Sequence, residues 1–134
     1  MMEKFKWRYA DADDLKNVFV PWWNEWGFPV PPRECLPARG VVVSDREGDL
    51  YGGFLYLTDG GIGWMEWVVS DKQAAVERKR GALEYLVEVL AAMAKDGGMI
   101  LMFTSTDRAA YKNGLQKCGF ALGDTNTYQL IKGL

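Results

Sequence analysis

The chain predicts an α+β fold in three layers, a mixed central sheet of six to seven strands packed by about four helices. Three observations carry this. Apolar runs, alternating or continuous, are separated by glycine-marked turns. Other segments have helical spacing and capping residues at their starts. The two kinds follow one another as strand, two helices, three strands, helix, strand, helix, two strands. At 134 residues, with no repeat, low-complexity stretch or linker, a single domain over residues 1–134 is expected.

Phe5 to Tyr9 alternates apolar and basic residues and reads as a short strand. Asp11 is placed as an N-cap, with Asp14 three residues on, for a helix through Phe19 that Pro21 ends or kinks. The aromatic segment from Trp22 to Phe28 reads as a second short helix, and Pro29 to Pro32 as a stiff loop. Gly40 to Ser44, Leu50 to Thr58 and Ile62 to Val69 form a meander. Its turns are Asp45-Arg46-Glu47-Gly48 and Asp59-Gly60-Gly61, and Gly52-Gly53 marks a bulge or a close backbone approach. A long helix follows, with Leu83, Leu86, Val87, Leu90 and Ala94 on one face. Its start is open, because Ser70 with Gln73 fits a capping box upstream of the basic residues. Asp96-Gly97-Gly98 stops it. Met99 to Phe103 is wholly apolar and reads as a central strand buried on both faces. Thr104 to Asp107 caps a helix of about ten residues that ends at Cys118-Gly119. Phe120 to Leu122 and Tyr128 to Ile131 read as a closing pair of strands about a Gly123-Asp124-Thr125-Asn126 turn.

Composition narrows the chemistry. A net charge of −2 argues against a nucleic-acid partner held through phosphates. No run of ~18 apolar residues is present and the N-terminus lacks a secretory signal core, so no membrane partner and a cytoplasmic location are expected. The two cysteines, Cys35 and Cys118, are too few for a disulfide framework or a cysteine-based metal site. There is no histidine. The usual triads, zinc sites and neutral-pH proton shuttle are therefore absent, and acid–base work falls to Asp, Glu, Tyr, Cys, Lys or water. No metal is expected. One juxtaposition stands out: the apolar strand Trp64 to Val69 runs toward Arg78-Lys79-Arg80-Gly81-Ala82 at the opening of the long helix. Such a turn either cradles an anion or solvates an ordinary helix start.

The element order, and specific residues across nearly the whole chain, resemble the GNAT superfamily of acyl-CoA-dependent N-acyltransferases. Arg8-Tyr9-Ala10-Asp11-Ala12-Asp13-Asp14-Leu15 is similar to that family's first strand and helix start. Gly48 with Gly52-Gly53 is similar to its second and third strands, and Gln116-Lys117-Cys118-Gly119-Phe120 to the end of its last helix. The elongated segment before Arg78 and the Phe-Thr-Ser-Thr exit at residues 103–106 resemble members encoded by phages.

The resemblance implies acetyl transfer from acetyl-CoA to an amine acceptor, a small molecule or a protein, by a monomer or homodimer. The alternative is a non-catalytic protein that binds acyl-CoA in the cleft that the resemblance places where the strands Ile62 to Val69 and Met99 to Phe103 splay apart. Trp67, Val68 and Val69 are assigned to the pantetheine through main chain. Arg78, Lys79, Arg80, Gly81 and Ala82 are assigned to the pyrophosphate, although Leu83 stands where the family carries a small residue. Glu66 is the implied base. The family's tyrosine acid falls at Leu115, which leaves Tyr111, one turn earlier, as the candidate acid. Cys118, at a position usually apolar in the family, reads as core. Trp22, Trp23, Glu25, Trp26 and Phe28 fall in the family's acceptor region, and Asp59 is expected in a turn facing it. An aromatic wall with carboxylates suits a cation; the same tryptophans also suit a cover for the sheet.

Overall fold

The computed structural model describes residues 3–134. Five strands form one sheet in the order β1-β2-β3-β4-β5: β1 (Lys6–Tyr9), β2 (Arg39–Asp45), β3 (Gly48–Leu57), β4 (Ile62–Ser70) and β5 (Leu101–Phe103). The first four are antiparallel neighbours, and β5 runs parallel to β4. Alternation along the strands divides the core between two faces. Val41, Val43, Leu55 and Met65 pack on one face against Leu86, Val87, Leu90 and Ala94 of helix α3 (Ala82–Asp96). Val42, Phe54 and Val69 pack on the other against Phe19 and Trp23.

Phe19 and Trp23 belong to α1, which runs as an α-turn (Ala12–Asp14), a π-turn (Leu15–Phe19) and a second α segment (Val20–Trp26). Asp11 caps it as expected: its side chain accepts the Asp14 N–H, and the Asp14 carboxylate accepts the Asp11 N–H. The same Asp14 pairs with Arg8 at 2.6 Å, tying β1 to the helix start. Pro21 does not end this helix. The preceding turn widens, with the Val20 N–H donating to the Leu15 carbonyl, and so makes room for a ring that would otherwise strike the carbonyl four residues back. The two helices expected around Pro21 are therefore one.

Gly52 shows why no side chain fits there. A Cβ on it would lie 2.5 Å from the Phe19 ring. Gly52→Ala is expected to cost about 1–3 kcal/mol of stability, read as a lower urea midpoint at constant slope.

Other boundaries shift. The Ser70–Gln73 capping box does not form; the Asp71 side chain accepts the Gln73 N–H instead. A short helix α2 (Val76–Lys79) precedes Gly81, whose φ of +85° turns the chain into α3. Helix α4 (Ala109–Lys117) begins later than the Thr104–Asp107 cap implies, with Arg108 at its N-cap and the Thr106 hydroxyl accepting the Arg108 N–H. The largest departure is C-terminal. Residues 120–122 and 128–131 form no strands, so the sheet has five strands in place of six or seven. β5 is consequently an edge strand and not the buried central one expected, with Leu101 55% exposed. Local alternation is enough to suggest a hairpin, but a strand exists only against a partner that accepts its backbone bonds.

Candidate active site

Two strands part company at the β5 edge of the sheet. β5 pairs with β4 only from Ile62 to Trp64. Beyond that the Thr104 hydroxyl bonds the Met65 carbonyl at 2.7 Å, and the two chains diverge. Glu66 to Ser70 is thus flanked by β3 alone, and a cleft of about 560 Å³ opens beside it. Here the two faces of the sheet communicate. Trp23, Trp26 and Phe28 line the cleft from the α1 side, and Leu83, Tyr111 and Gly114 from α3 and α4.

A bulge aims the strand. Phe54 pairs with Glu66 and Gly52 with Val69, so Gly53 faces both Trp67 and Val68. Trp67 takes φ +61°, a left-handed conformation rare for a large side chain. The added residue breaks the alternation. Glu66 shares the face of its cross-strand partner Phe54, Trp67 packs on that same side against Trp23, and Val68 packs on the α3 side. This answers which face Glu66 occupies: the face bearing the tryptophans.

Three indole N–H groups brace this stretch of β4. Trp23 Nε1 donates to the Trp67 carbonyl at 3.1 Å, and Trp26 Nε1 to the Ser70 carbonyl at 2.8 Å. Trp67 Nε1 donates to Tyr56 Oη at 2.9 Å. The tryptophans of α1 therefore cover the sheet and line the cleft at once. Trp22 packs within the same cluster but lies outside the cleft, and Glu25 accepts a bond from Gln73 Nε2 at 2.6 Å. Asp59 is exposed in the turn before Ile62, at the paired end of β4 and away from the cleft, which corrects the expectation that it faces the acceptor region.

Burial shifts three groups that line the cleft, Glu66, Tyr111 and Tyr51. Glu66 is half-buried, and loss of solvent raises its carboxyl above the usual range. Burial raises the Tyr111 phenol well above its usual range, with the nearby Tyr51 and Glu66 adding to it. The Tyr111 hydroxyl is buried with no hydrogen-bond partner. Tyr51, on β3 opposite Ser70, is likewise raised by burial, partly offset by Ser70 and by the charge of Arg108. Cys118 packs against the core, and burial raises its thiol.

The basic turn is more occupied than its sequence implies. Arg78 donates to both Asp45 oxygens, at 2.7 and 3.0 Å, and meets Glu47 at 2.9 Å. These bonds hold the Asp45 carboxyl well below the usual carboxylate range. Lys79 Nζ donates to the Asp71 carbonyl at 3.0 Å, and Ala82 is buried in the core. The Arg80 side chain has no partner among the described residues. Leu83 lines the cleft. Tyr51 and Arg108 are not singled out from the sequence, and Ser70 and Thr104 are read there only as helix caps, yet all four line the cleft. The signal for Tyr51 was its place on β3 beside the Gly52-Gly53 bulge, and for Arg108 its place just after a Thr-Ser-Thr-Asp strand exit.

No family model and no curated protein sequence matches this chain. Solved structures do. Glucosamine-6-phosphate N-acetyltransferase from Arabidopsis thaliana superposes with a TM-score of 0.67 at 14% identity, over 97% of this chain and 100% of that one. An aminoglycoside acetyltransferase from an uncultured soil metagenomic sample, solved with sisomicin, gives 0.71 at 12% identity, over 96% and 97%. N-acetylglutamate synthase from Neisseria gonorrhoeae, solved with coenzyme A and N-acetyl-glutamate, gives 0.68 at 15% identity, over 87% of this chain and 28% of that one. The chain has the fold of these acetyltransferases, the GNAT fold.

Proposed function

We propose that the protein is an N-acetyltransferase that moves an acetyl group from acetyl-CoA to an amine. The observation that carries this reading is the divergence of β4 from β5 with Glu66, half-buried, beside it. A strand stretch with no neighbour on one side keeps backbone amide groups available for a ligand that itself carries amides. Since indoles already bond the Trp67 and Ser70 carbonyls, the Val68–Val69 peptide is the candidate contact for a pantetheine arm. The residues present fit that arm along the cleft. Acetyl-CoA, when bound, supplies an acyl group activated as a thioester.

The chain's own residues supply the rest. Glu66, with its raised carboxyl, draws a proton from the acceptor ammonium directly or through water. Tyr111 keeps its proton at neutral pH, and its unpartnered hydroxyl is available to donate toward a departing thiolate. Trp23, Trp26 and Phe28 wall the acceptor side and exclude water.

A non-catalytic acyl-CoA-binding role is the second reading. The observation favouring it is Leu115, which fills the position of the expected tyrosine acid and is buried in the core. Thermal shift with acetyl-CoA, followed by thiol release across a panel of amines, separates the two. Stabilisation with turnover supports transfer, stabilisation without turnover supports the binder, and no stabilisation removes both.

The phosphate end makes a sharper prediction. Because Arg78 is engaged by Asp45 and Glu47, Arg80 is the cation of the turn left without a partner among the described residues. Arg80→Ala is expected to weaken coenzyme A binding several-fold at low salt, measured by titration calorimetry, with the melting temperature unchanged. Arg78→Ala is expected to act on the β2–β3 turn instead, and equal losses of affinity in both variants would contradict this division.

A further inference from the structure

The mouth of the cleft carries a cation that acyl transfer leaves unused. The Arg108 guanidinium lies 4.9 Å from the Trp26 ring centre and 5.4 Å from that of Phe28. Those two rings are themselves stacked, 13° apart with centroids at 5.9 Å. A guanidinium laid on ring faces is fixed in position while its N–H edge remains open to an anion. No carboxylate among the described residues pairs with Arg108, although Glu66 and Asp107 line the same cleft. Its charge is felt at Tyr51, which also lines that cleft. Lys72 Nζ, 5.0 Å from the Trp26 ring centre, adds a second positive charge to the platform. A chain of net charge −2 thus gathers two cations about one tryptophan of the cleft, and Arg108 is the one that lines the cleft itself.

Resting on the acyl-transfer reading, we infer that the acceptor amine also carries an anionic group, a carboxylate or a phosphate ester, which docks on Arg108 while the amino group faces Glu66. This goes beyond the sequence expectation of a cation held against an aromatic wall. The carboxylate of Glu66 still receives the ammonium; the platform at the mouth selects what the amine is attached to.

Matched probes test it: L-leucine against isopentylamine, 4-aminobutyrate against propylamine, and O-phosphoethanolamine against ethylamine. Each is titrated by calorimetry into the wild type and Arg108→Gln, with and without coenzyme A. The expected result is that the anionic member of at least one pair binds about tenfold tighter in the wild type and that Arg108→Gln removes the preference. Coenzyme A affinity should be the same in both proteins. If Arg108→Gln instead weakens coenzyme A and leaves the pair ratios alone, the cation serves the cofactor's phosphates and the inference falls. It falls equally if no pair shows a preference, Arg108 then being only a latch on Trp26 and Phe28. Absence of coenzyme A binding in the wild type would count against acyl transfer alone, because the pair ratios are also read without it.

Discussion

Glu66→Gln is expected to lower kcat by about 10²- to 10⁴-fold while slightly raising the melting temperature. Both parts follow from one carboxyl. Burial raises it, so the folded chain holds the proton more tightly than the unfolded chain does. Folding gains from this group below its unfolded pKa, and that gain is lost as pH rises through the elevated folded value. At neutral pH the ionised side chain therefore opposes folding, and the neutral amide of glutamine relieves it. Catalysis has the opposite requirement, since only the deprotonated form accepts a proton. The acid limb of kcat/KM is accordingly expected above the ordinary carboxylate range, and to vanish in the variant. Rates on an accepted amine, with melting curves of both proteins at acid and neutral pH, check this. A variant that loses stability and activity together would show Glu66 to be structural.

Trp23→Ala is expected to cost about 3–5 kcal/mol in urea unfolding. The ring is 1% exposed and touches Phe19, Phe54 and Trp67. Trp23→Phe separates the two roles of that side chain. It keeps an apolar ring but removes the N–H that bonds the Trp67 carbonyl. A buried acceptor left without its donor costs about 1–3 kcal/mol. Because that bond holds a peptide at φ +61°, the phenylalanine variant is also expected to bind coenzyme A more weakly than its stability loss accounts for. A fully folded Trp23→Phe protein with unchanged affinity would show that the bulge holds itself.

What the sequence disclosed were features written in a few adjacent residues. The cap at Asp11–Asp14, the stop at Asp96-Gly97-Gly98, the hairpin at Asp45–Gly48 and the close approach at Gly52 depend on local chemistry, and each is where it was expected. What it hid depends on distant partners. Arg78 reads as a free cation until Asp45, far away along the chain, is folded onto it. The tryptophans read as a wall until their N–H groups are seen on β4 carbonyls. The C-terminal apolar residues, Tyr128, Leu130 and Ile131, read as strand because pattern alone does not reveal whether an edge receives them.

Half of the six tryptophans, Trp23, Trp26 and Trp67, line one cleft, and the Trp23 and Trp67 rings meet edge-on at 6.3 Å. The protein therefore carries its own optical label. A ligand entering between these indoles displaces water from them and alters a coupled pair of chromophores. Its arrival should register in intrinsic emission and in the aromatic circular dichroism band, with no dye, tag or radioactive donor.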